Sequence, residues 1–310
     1  MDRIFTAADE IKKVIKGKDD IIEQVMIAVL SGGHVLLEDI PGVGKTTLAT
    51  AFSRVMGLKY KRMQFTPDVM PSDVSGFSMY NSKTNDFEFR EGAVMCNLFL
   101  ADEINRTSPK TQSALLEVME EGRVTVDGIT HELPAPFVVI ATQNPFGSSG
   151  TQRLPQSQMD RFLLCISMGY PDAKSEIEIL KNNRKDKMEV LEEKLNTAII
   201  LKIQQAVAEQ YVDESIYNYI VDIANATRAS ENFAMGISPR GSIAMLKAAR
   251  AKSFLNKRAY VTPQDIIDVI GMTCAHRVEI SPKAAANGIS AKKALEMTVS
   301  EIPMPKIKKQ

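Results

Sequence analysis

The run Leu36-Leu37-Glu38-Asp39-Ile40-Pro41-Gly42-Val43-Gly44-Lys45-Thr46-Thr47 leads from apolar residues through a glycine loop into a Gly-Lys-Thr step. That order of residue types is suited to holding phosphate. A glycine loop between a buried strand and a helix turns several backbone N–H groups inward, and the helix start adds the positive end of its dipole. The candidate nucleotide-binding residues are therefore Asp39, Ile40, Pro41, Gly42, Val43, Gly44, Lys45, Thr46 and Thr47. Lys45 is suited to reach the β- and γ-phosphates, and the Thr46 hydroxyl to ligate Mg²⁺. ATP and Mg²⁺ are the expected ligands. One position departs from the pattern G-x-x-x-x-G-K-[ST], because Asp39 stands where the first glycine belongs. Asp tolerates left-handed backbone angles better than most residues, so the turn is expected to survive.

The run 97–103 reads as a buried strand that ends in two acids, Asp102 and Glu103. Ligands of open α/β sheets bind at the carboxyl ends of the strands, so both side chains are expected to face the nucleotide. Asp102 is the candidate metal holder, directly or through water. Glu103 is the candidate to orient and deprotonate the attacking water. A further apolar run, 137–142, passes into Gln143-Asn144-Pro145. Asn144 stands where a neutral amide would meet the γ-phosphate or the attacking water, although a turn-forming Asn before proline has the same appearance. Phosphoryl transfer also gains from an arginine that stabilises charge in the transition state, supplied in cis or by a neighbour. Arg161 precedes the last strand candidate of the first domain, and Arg240 opens a helix of the second. Taken singly, each reads as a surface residue.

The elements that must position these residues follow from periodicity. Short apolar strands at 34–38, 61–64, 98–102, 137–142 and 162–166 alternate with helical stretches at 45–55 and 109–121. That alternation is the signature of a parallel sheet flanked by helices, an α/β fold. Gly169-Tyr170-Pro171 reads as a hinge, and Asp172 as the cap of a helix through Leu180. Beyond it strands fade. Ser238-Pro239 and Thr262-Pro263 each place a cap before a proline at the first helical position, with Asp265 completing a box. The expected division is an α/β core over 1–168 and a smaller α-helical lid over 172–310.

Composition narrows the class. Thirty-eight basic residues balance thirty-eight acidic ones, so no overall field draws the chain to nucleic acid or an anionic membrane. No apolar run approaches the length of a membrane span, and charges at the N-terminus oppose a signal peptide. Cys96, Cys165 and Cys274 are odd in number and far apart, which predicts reduced cysteines and a cytoplasmic setting. His34, His131 and His276 have no ligand spacing.

As a whole the chain resembles the MoxR family of AAA+ ATPases, which are P-loop NTPases. The resemblance rests on Met63-Gln64-Phe65-Thr66-Pro67-Asp68, Ala101-Asp102-Glu103-Ile104-Asn105-Arg106, Gln112-Ser113-Ala114-Leu115-Leu116-Glu117, Ala141-Thr142-Gln143-Asn144-Pro145 and Asp160-Arg161-Phe162-Leu163-Leu164. It implies that Lys45 and Thr46 belong to Walker A, Asp102 and Glu103 to Walker B, and that Asn144 is sensor 1. Arg161 becomes the arginine finger, with Arg106 the second choice, and Arg240 becomes sensor 2. Val14, Ile15 and Gly17 resemble the family's segment beside the adenine. The family's helix-2 insert maps to about 74–92, and its hairpin before sensor 1 to about 122–136. Phe77, Tyr80, Phe87 and Phe89 are then candidate client contacts. Two positions depart from the family: Arg90-Glu91-Gly92-Ala93 replaces a usual Pro-Gly-Pro, and Gln156 replaces an acid.

The resemblance implies Mg-dependent ATP hydrolysis by a ring, with a hexamer expected. It further implies chaperone-like remodelling of a client protein, together with a partner that bears a von Willebrand A domain. Three alternatives remain open at this point: a nucleic-acid motor, a magnesium-chelatase-like motor, and a nucleotide-gated scaffold that does not hydrolyse. The neutral charge opposes the first, and the presence of Glu103 opposes the last.

Overall fold

A computed structural model of the chain describes residues 2–40, 42–144, 154–181 and 188–306. It opens with helices α1 (Asp2–Lys12) and α2 (Asp19–Leu30), then strand β1 (Val35–Glu38), helix α3 (Lys45–Val55), strand β2 (Tyr60–Gln64) and helix α4 (Pro71–Ser75). A hairpin of β3 (Gly76–Asn81) and β4 (Asp86–Glu91) follows, then β5 (Leu98–Asp102), a short 3-10 turn (Ile104–Arg106) and α5 (Pro109–Glu121). A second hairpin, β6 (Arg123–Val126) with β7 (Ile129–Glu132), precedes β8 (Val138–Gln143), α6 (Gln156–Met159), β9 (Leu164–Ile166), α7 (Ala173–Lys181) and α8 (Thr197–Ala208). The remainder is α9 (Glu214–Ala229), β10 (Phe233–Met235), α10 (Pro239–Leu255), α11 (Pro263–Cys274), β11 (Glu279–Ile280), α12 (Pro282–Ala286) and α13 (Ala291–Ser300).

The central sheet has the order β2-β5-β8-β1-β9, with β2/β5, β5/β8 and β8/β1 paired in parallel. Leu98, Phe99, Leu100 and Ala101 of β5 are all fully buried. A strand covered on both faces needs no polar alternation, which is why this run reads as continuous apolar sequence. Burying each large side chain there contributes about 1.5–3 kcal/mol. Register then aligns the strand ends. Gln64 lies opposite Asp102, and Glu38 opposite Gln143. The carboxyl edge of the sheet therefore presents a row of polar side chains supplied by four strands.

The β3–β4 hairpin lies within 74–92 and the β6–β7 hairpin within 122–136. In the second, Asp127 (φ 51°) and Gly128 (φ 80°) both take positive φ. Two such residues give a turn whose twist suits the flanking strands.

Contacts divide the chain into two compact units. The first comprises Met1–Met26, His34–Arg161 and Ile166–Leu201, and the second Ile27–Gly33, Phe162–Cys165 and Lys202–Gln310. This partition differs from the single boundary at 168–172 read from the sequence. The stretch after Pro171 packs with the first unit because Lys194 and Leu195 donate backbone hydrogen bonds to Val55 at the end of α3 (2.8 and 3.1 Å). Phe162 and Leu163 pack with the second because their carbonyls accept from the buried Arg277 guanidinium (2.7 and 3.2 Å). The second unit is mainly helical. Ile216, Ile220 and Ile223 of α9, Met245, Ala248 and Ala249 of α10, and Ile266, Val269 and Ile270 of α11 are buried at helical spacing. Ser238 caps α10 by accepting from Gly241 N (3.2 Å). Thr262 and Asp265 form a capping box on α11, with Arg258 holding the Asp265 carboxylate (2.8 and 2.5 Å).

Among the described residues no helix is long and apolar enough to cross a membrane. Cys96 and Cys274 are buried and Cys165 is half-buried. Burial pushes the Cys96 thiol up to about 11.

Candidate nucleotide-binding and catalytic site

β1 delivers the chain to Asp39 at the carboxyl edge of the sheet, and the loop returns as α3. Gly42 (φ +86°) and Gly44 (φ +97°) hold angles that L side chains rarely adopt. A Cβ built on either glycine meets nothing within 4 Å among the described residues, so both positions face open space. Thr46 and Thr47 stand half-buried in the first turn of α3, where the helix N–H groups are unpaired by the helix itself. Pro41 lies outside the described residues.

The Lys45 ammonium donates to the Asp39 carbonyl at 2.7 Å. Burial lowers its pKa below the ordinary lysine value, and the carboxylates of Asp39, Asp102 and Glu103 oppose that fall. The Lys45 ammonium thus lies within electrostatic reach of three acids. The open loop, the helix start and Lys45 fit a triphosphate, which needs amide donors and positive charge. The oxygen donors of Thr46 and Asp102 are of the hard type that suits magnesium. Among the described residues no three His, Cys, Asp or Glu side chains cluster to hold a metal unaided.

Asp39 corrects one sequence expectation. Its φ is not positive, so tolerance of left-handed angles does not explain its presence. Its carboxylate is instead 5% exposed and bonded. Oδ1 accepts from Ser167 Oγ (2.8 Å) and Gly169 N (3.0 Å), and Oδ2 accepts from Met168 N.

The acid pair sits at the end of β5. Asp102 Oδ2 receives Arg62 of β2 at 2.7 Å, and Oδ1 receives the Thr142 hydroxyl at 2.7 Å. The same Thr142 oxygen accepts from Glu103 N at 2.8 Å. Glu103 adopts a left-handed backbone (φ 56°, ψ 48°), which costs a non-glycine residue about 1–2 kcal/mol. Its Oε2 is engaged by Gln64 Nε2 (2.9 Å) and Arg106 Nη1 (2.7 Å). Arg62, Gln64 and Thr142 had no individual role in the sequence reading. Their only sequence signal is that each stands in the last three residues of an apolar or mixed strand.

Asn144 directly follows β8, whose neighbours in the sheet are β5 and β1. Arg161 is half-buried with Nε 3.3 Å from Glu120 of α5, at a cleft of about 440 Å³ lined by Glu117, Glu120, Glu121, Ser157 and Gln158. Arg240 is exposed in the first turn of α10, in the second unit. Ile15 is buried, Val14 is half-buried and Gly17 is exposed with φ +66°. Phe77, Tyr80 and Phe87 are exposed on the first hairpin. Phe89 is distinct from them, because it stacks on His131 of β7 with ring centroids 3.8 Å apart.

Comparison with known proteins agrees with this geometry. Residues 34–164 match the ATPase family associated with various cellular activities (AAA), and residues 225–298 match the AAA lid domain. The chain is 48% identical over 300 residues to the uncharacterized protein YeaC of Bacillus subtilis, covering 96% of this chain and 94% of that one. It is 38% identical over 307 residues to chaperone MoxR1 of Mycobacterium tuberculosis, covering 96% of this chain and 81% of the relative. A crystal structure from Cytophaga hutchinsonii, whose ATPase assignment is provisional, superposes with a TM-score of 0.91 at 35% identity. It covers 98% of this chain and 96% of its own. With an AAA core, an AAA lid and MoxR relatives along most of its length, the chain belongs to the MoxR family of AAA+ ATPases.

Proposed function

We propose that this protein binds ATP with Mg²⁺ at the 39–47 loop, hydrolyses it, and uses the cycle to remodel a client protein in the cytoplasm. The observation that carries the proposal is geometric: Lys45, bonded to the Asp39 carbonyl at 2.7 Å, follows a glycine loop at the sheet edge where β5 ends in Asp102 and Glu103, and burial and these acids act together on its ammonium. The loop N–H groups and Lys45 offset the charge of the triphosphate. Glu103, once turned to a water, takes its proton as the water oxygen bonds the γ-phosphorus. The bond from that phosphorus to the β–γ bridging oxygen breaks, and ADP and phosphate leave. Asn144 offers a neutral amide beside the γ-phosphate. Thr46 and Asp102 would hold the magnesium ion, which supplies Lewis-acid charge to the phosphate oxygens.

Arg161 is assigned to the ATP of an adjacent subunit, so the working form is a ring, with a hexamer the expected size. Arg240 is assigned the sensor 2 role, and Val14, Ile15 and Gly17 flank the adenine. The name of the mycobacterial relative, a chaperone, supports the remodelling role. A partner with a von Willebrand A domain is the proposed associate of the client. Phosphate release followed against protein concentration, alongside sedimentation, tests the assembly. Turnover per subunit should rise as the ring forms, and turnover independent of concentration through that transition contradicts it.

A further inference from the structure

Segment 167–170 is fastened by two charged side chains, Asp39 at the end of β1 and Lys18 before α2. On the phosphate side the buried Asp39 carboxylate accepts from Ser167 Oγ, Met168 N and Gly169 N. On the other side Lys18, one residue past Gly17, donates to the carbonyls of Met168 (2.5 Å) and Tyr170 (2.7 Å). Gly17 lies tight against the start of α7. A Cβ there meets Ser175 Oγ at 2.1 Å and Asp172 Oδ2 at 2.9 Å, at a φ of +66° that already disfavours a side chain. Asp172 in turn accepts from Lys174 N and Ser175 N (both 2.9 Å), fixing the first turn of α7. Met168 is bonded from both sides at once, through its N–H to Asp39 and through its carbonyl to Lys18.

A glycine in place of Asp39 would complete the usual phosphate-loop pattern but would leave these three donors without their acceptor. The Met168 N–H is buried, and an unmet buried donor costs more than an average hydrogen bond yields, so the acid is the better residue for this backbone. We propose that Asp39 and Lys18 are positioning residues that make segment 167–170 a strap between the phosphate and adenine ends of the site. Through it, the residues flanking the base hold the entry to the phosphate loop, including the Asp39 carbonyl that receives Lys45, in the binding geometry. The strap acts on nucleotide affinity, because what it fixes is the backbone carbonyl that receives Lys45. This inference rests on ATP being the ligand.

The test compares the full-length protein with Asp39→Gly, Asp39→Asn and Lys18→Met. Two readouts are needed: amide hydrogen exchange without nucleotide, and steady-state KM and kcat for ATP. For Asp39→Gly we expect Met168 and Gly169 to exchange at least about tenfold faster while β1 and β8 stay protected. KM for ATP should rise about tenfold, the size of one charge-assisted hydrogen bond, in Asp39→Gly and Lys18→Met alike, and in Lys18→Met kcat should stay within about threefold. Asp39→Asn keeps one acceptor oxygen and should fall between. A wild-type KM in Asp39→Gly overturns the proposal, as does faster exchange spread through β1 and β8, which signals general loosening. Should Asp39→Gly fail to fold, Lys18→Met decides, since it leaves the loop sequence intact. A raised KM at steady kcat supports the strap, and an unchanged KM refutes it. Failure of the unaltered protein to bind ATP is a separate result that removes the ATPase reading and this one with it. The exchange rates then still show whether Asp39 fastens the segment.

Discussion

Gln64 at the end of β2 donates its side-chain amide to Glu103, just past β5, at 2.9 Å, and Arg106 approaches the same Oε2 at 2.7 Å. The carboxylate assigned to activate water is thus held by two donors, with its backbone in a left-handed conformation that the Thr142 hydroxyl supports through Glu103 N. Turning toward nucleotide requires that these contacts be exchanged.

Arg106 is therefore expected to restrain Glu103 in cis. Arg106→Ala should keep phosphate release within about threefold of the parent or raise it, because the residual Gln64 contact is a weaker, uncharged one. A loss of several hundredfold, with ATP binding intact, makes Arg106 the transition-state arginine instead.

Arg161 should behave in the opposite way. Arg161→Ala is expected to bind ATP and to lose about a thousandfold in turnover, the range known for such arginines. Mixing it with Glu103→Gln subunits should restore part of the activity, because each variant supplies what the other lacks. Normal turnover by assembled Arg161→Ala contradicts the assignment.

Thr142 joins Asp102 and Glu103 through one hydroxyl. Thr142→Val preserves shape but strands the Glu103 N–H, so we expect a loss of about 1–3 kcal/mol in denaturant unfolding. Turnover should fall with it, since the acid pair loses its common anchor. Unaltered stability and turnover show that the Thr142 bridge contributes nothing.

His276 supplies a pH test. Burial, aided by the charge of Arg277, lowers its pKa from 6.5 to about 3, against the raising effect of the Phe162 carbonyl. Between those values the unfolded chain binds the proton and the folded chain does not. Stability therefore rises with pH across this window and falls as pH drops below 6.5. The loss attributable to this group is about 2 kcal/mol at pH 5. His276→Gln, which keeps a donor for Phe162, should flatten the decline in unfolding free energy between pH 7 and 5. An equal decline in the variant assigns it to other groups.

Much of the framework was legible because it depends on local order. The continuous apolar run of β5 marks a strand covered on both faces, and the Ser238-Pro239 and Thr262-Pro263 starts carry their own caps. The phosphate loop announced itself because glycine, lysine and threonine must be adjacent to work. What stayed hidden depends on register and closure. Arg62 meets Asp102 across 40 positions, and Gln64 meets Glu103 across 39. Both pairings follow from the alignment of β2 with β5, which periodicity does not fix. Asp39 was noticed as a departure, but its partners lie 128 to 130 positions onward. Sequence reasoning supplied a backbone explanation where the operative one is a buried carboxylate with distant donors. The units likewise close through long-range contacts, such as Lys194 with Val55 and Arg277 with Phe162, that no boundary signal at Pro171 reveals.

The most direct measurement is ATP binding and phosphate release by Glu103→Gln beside the unaltered protein, each saturated with ATP and Mg²⁺. Binding should match while phosphate release falls by about a hundredfold or more, the scale of losing a general base. Release at the parent's rate in Glu103→Gln, or no release by the parent itself at saturation, contradicts the claim that the 39–47 loop and the acids at the end of β5 form one hydrolytic site.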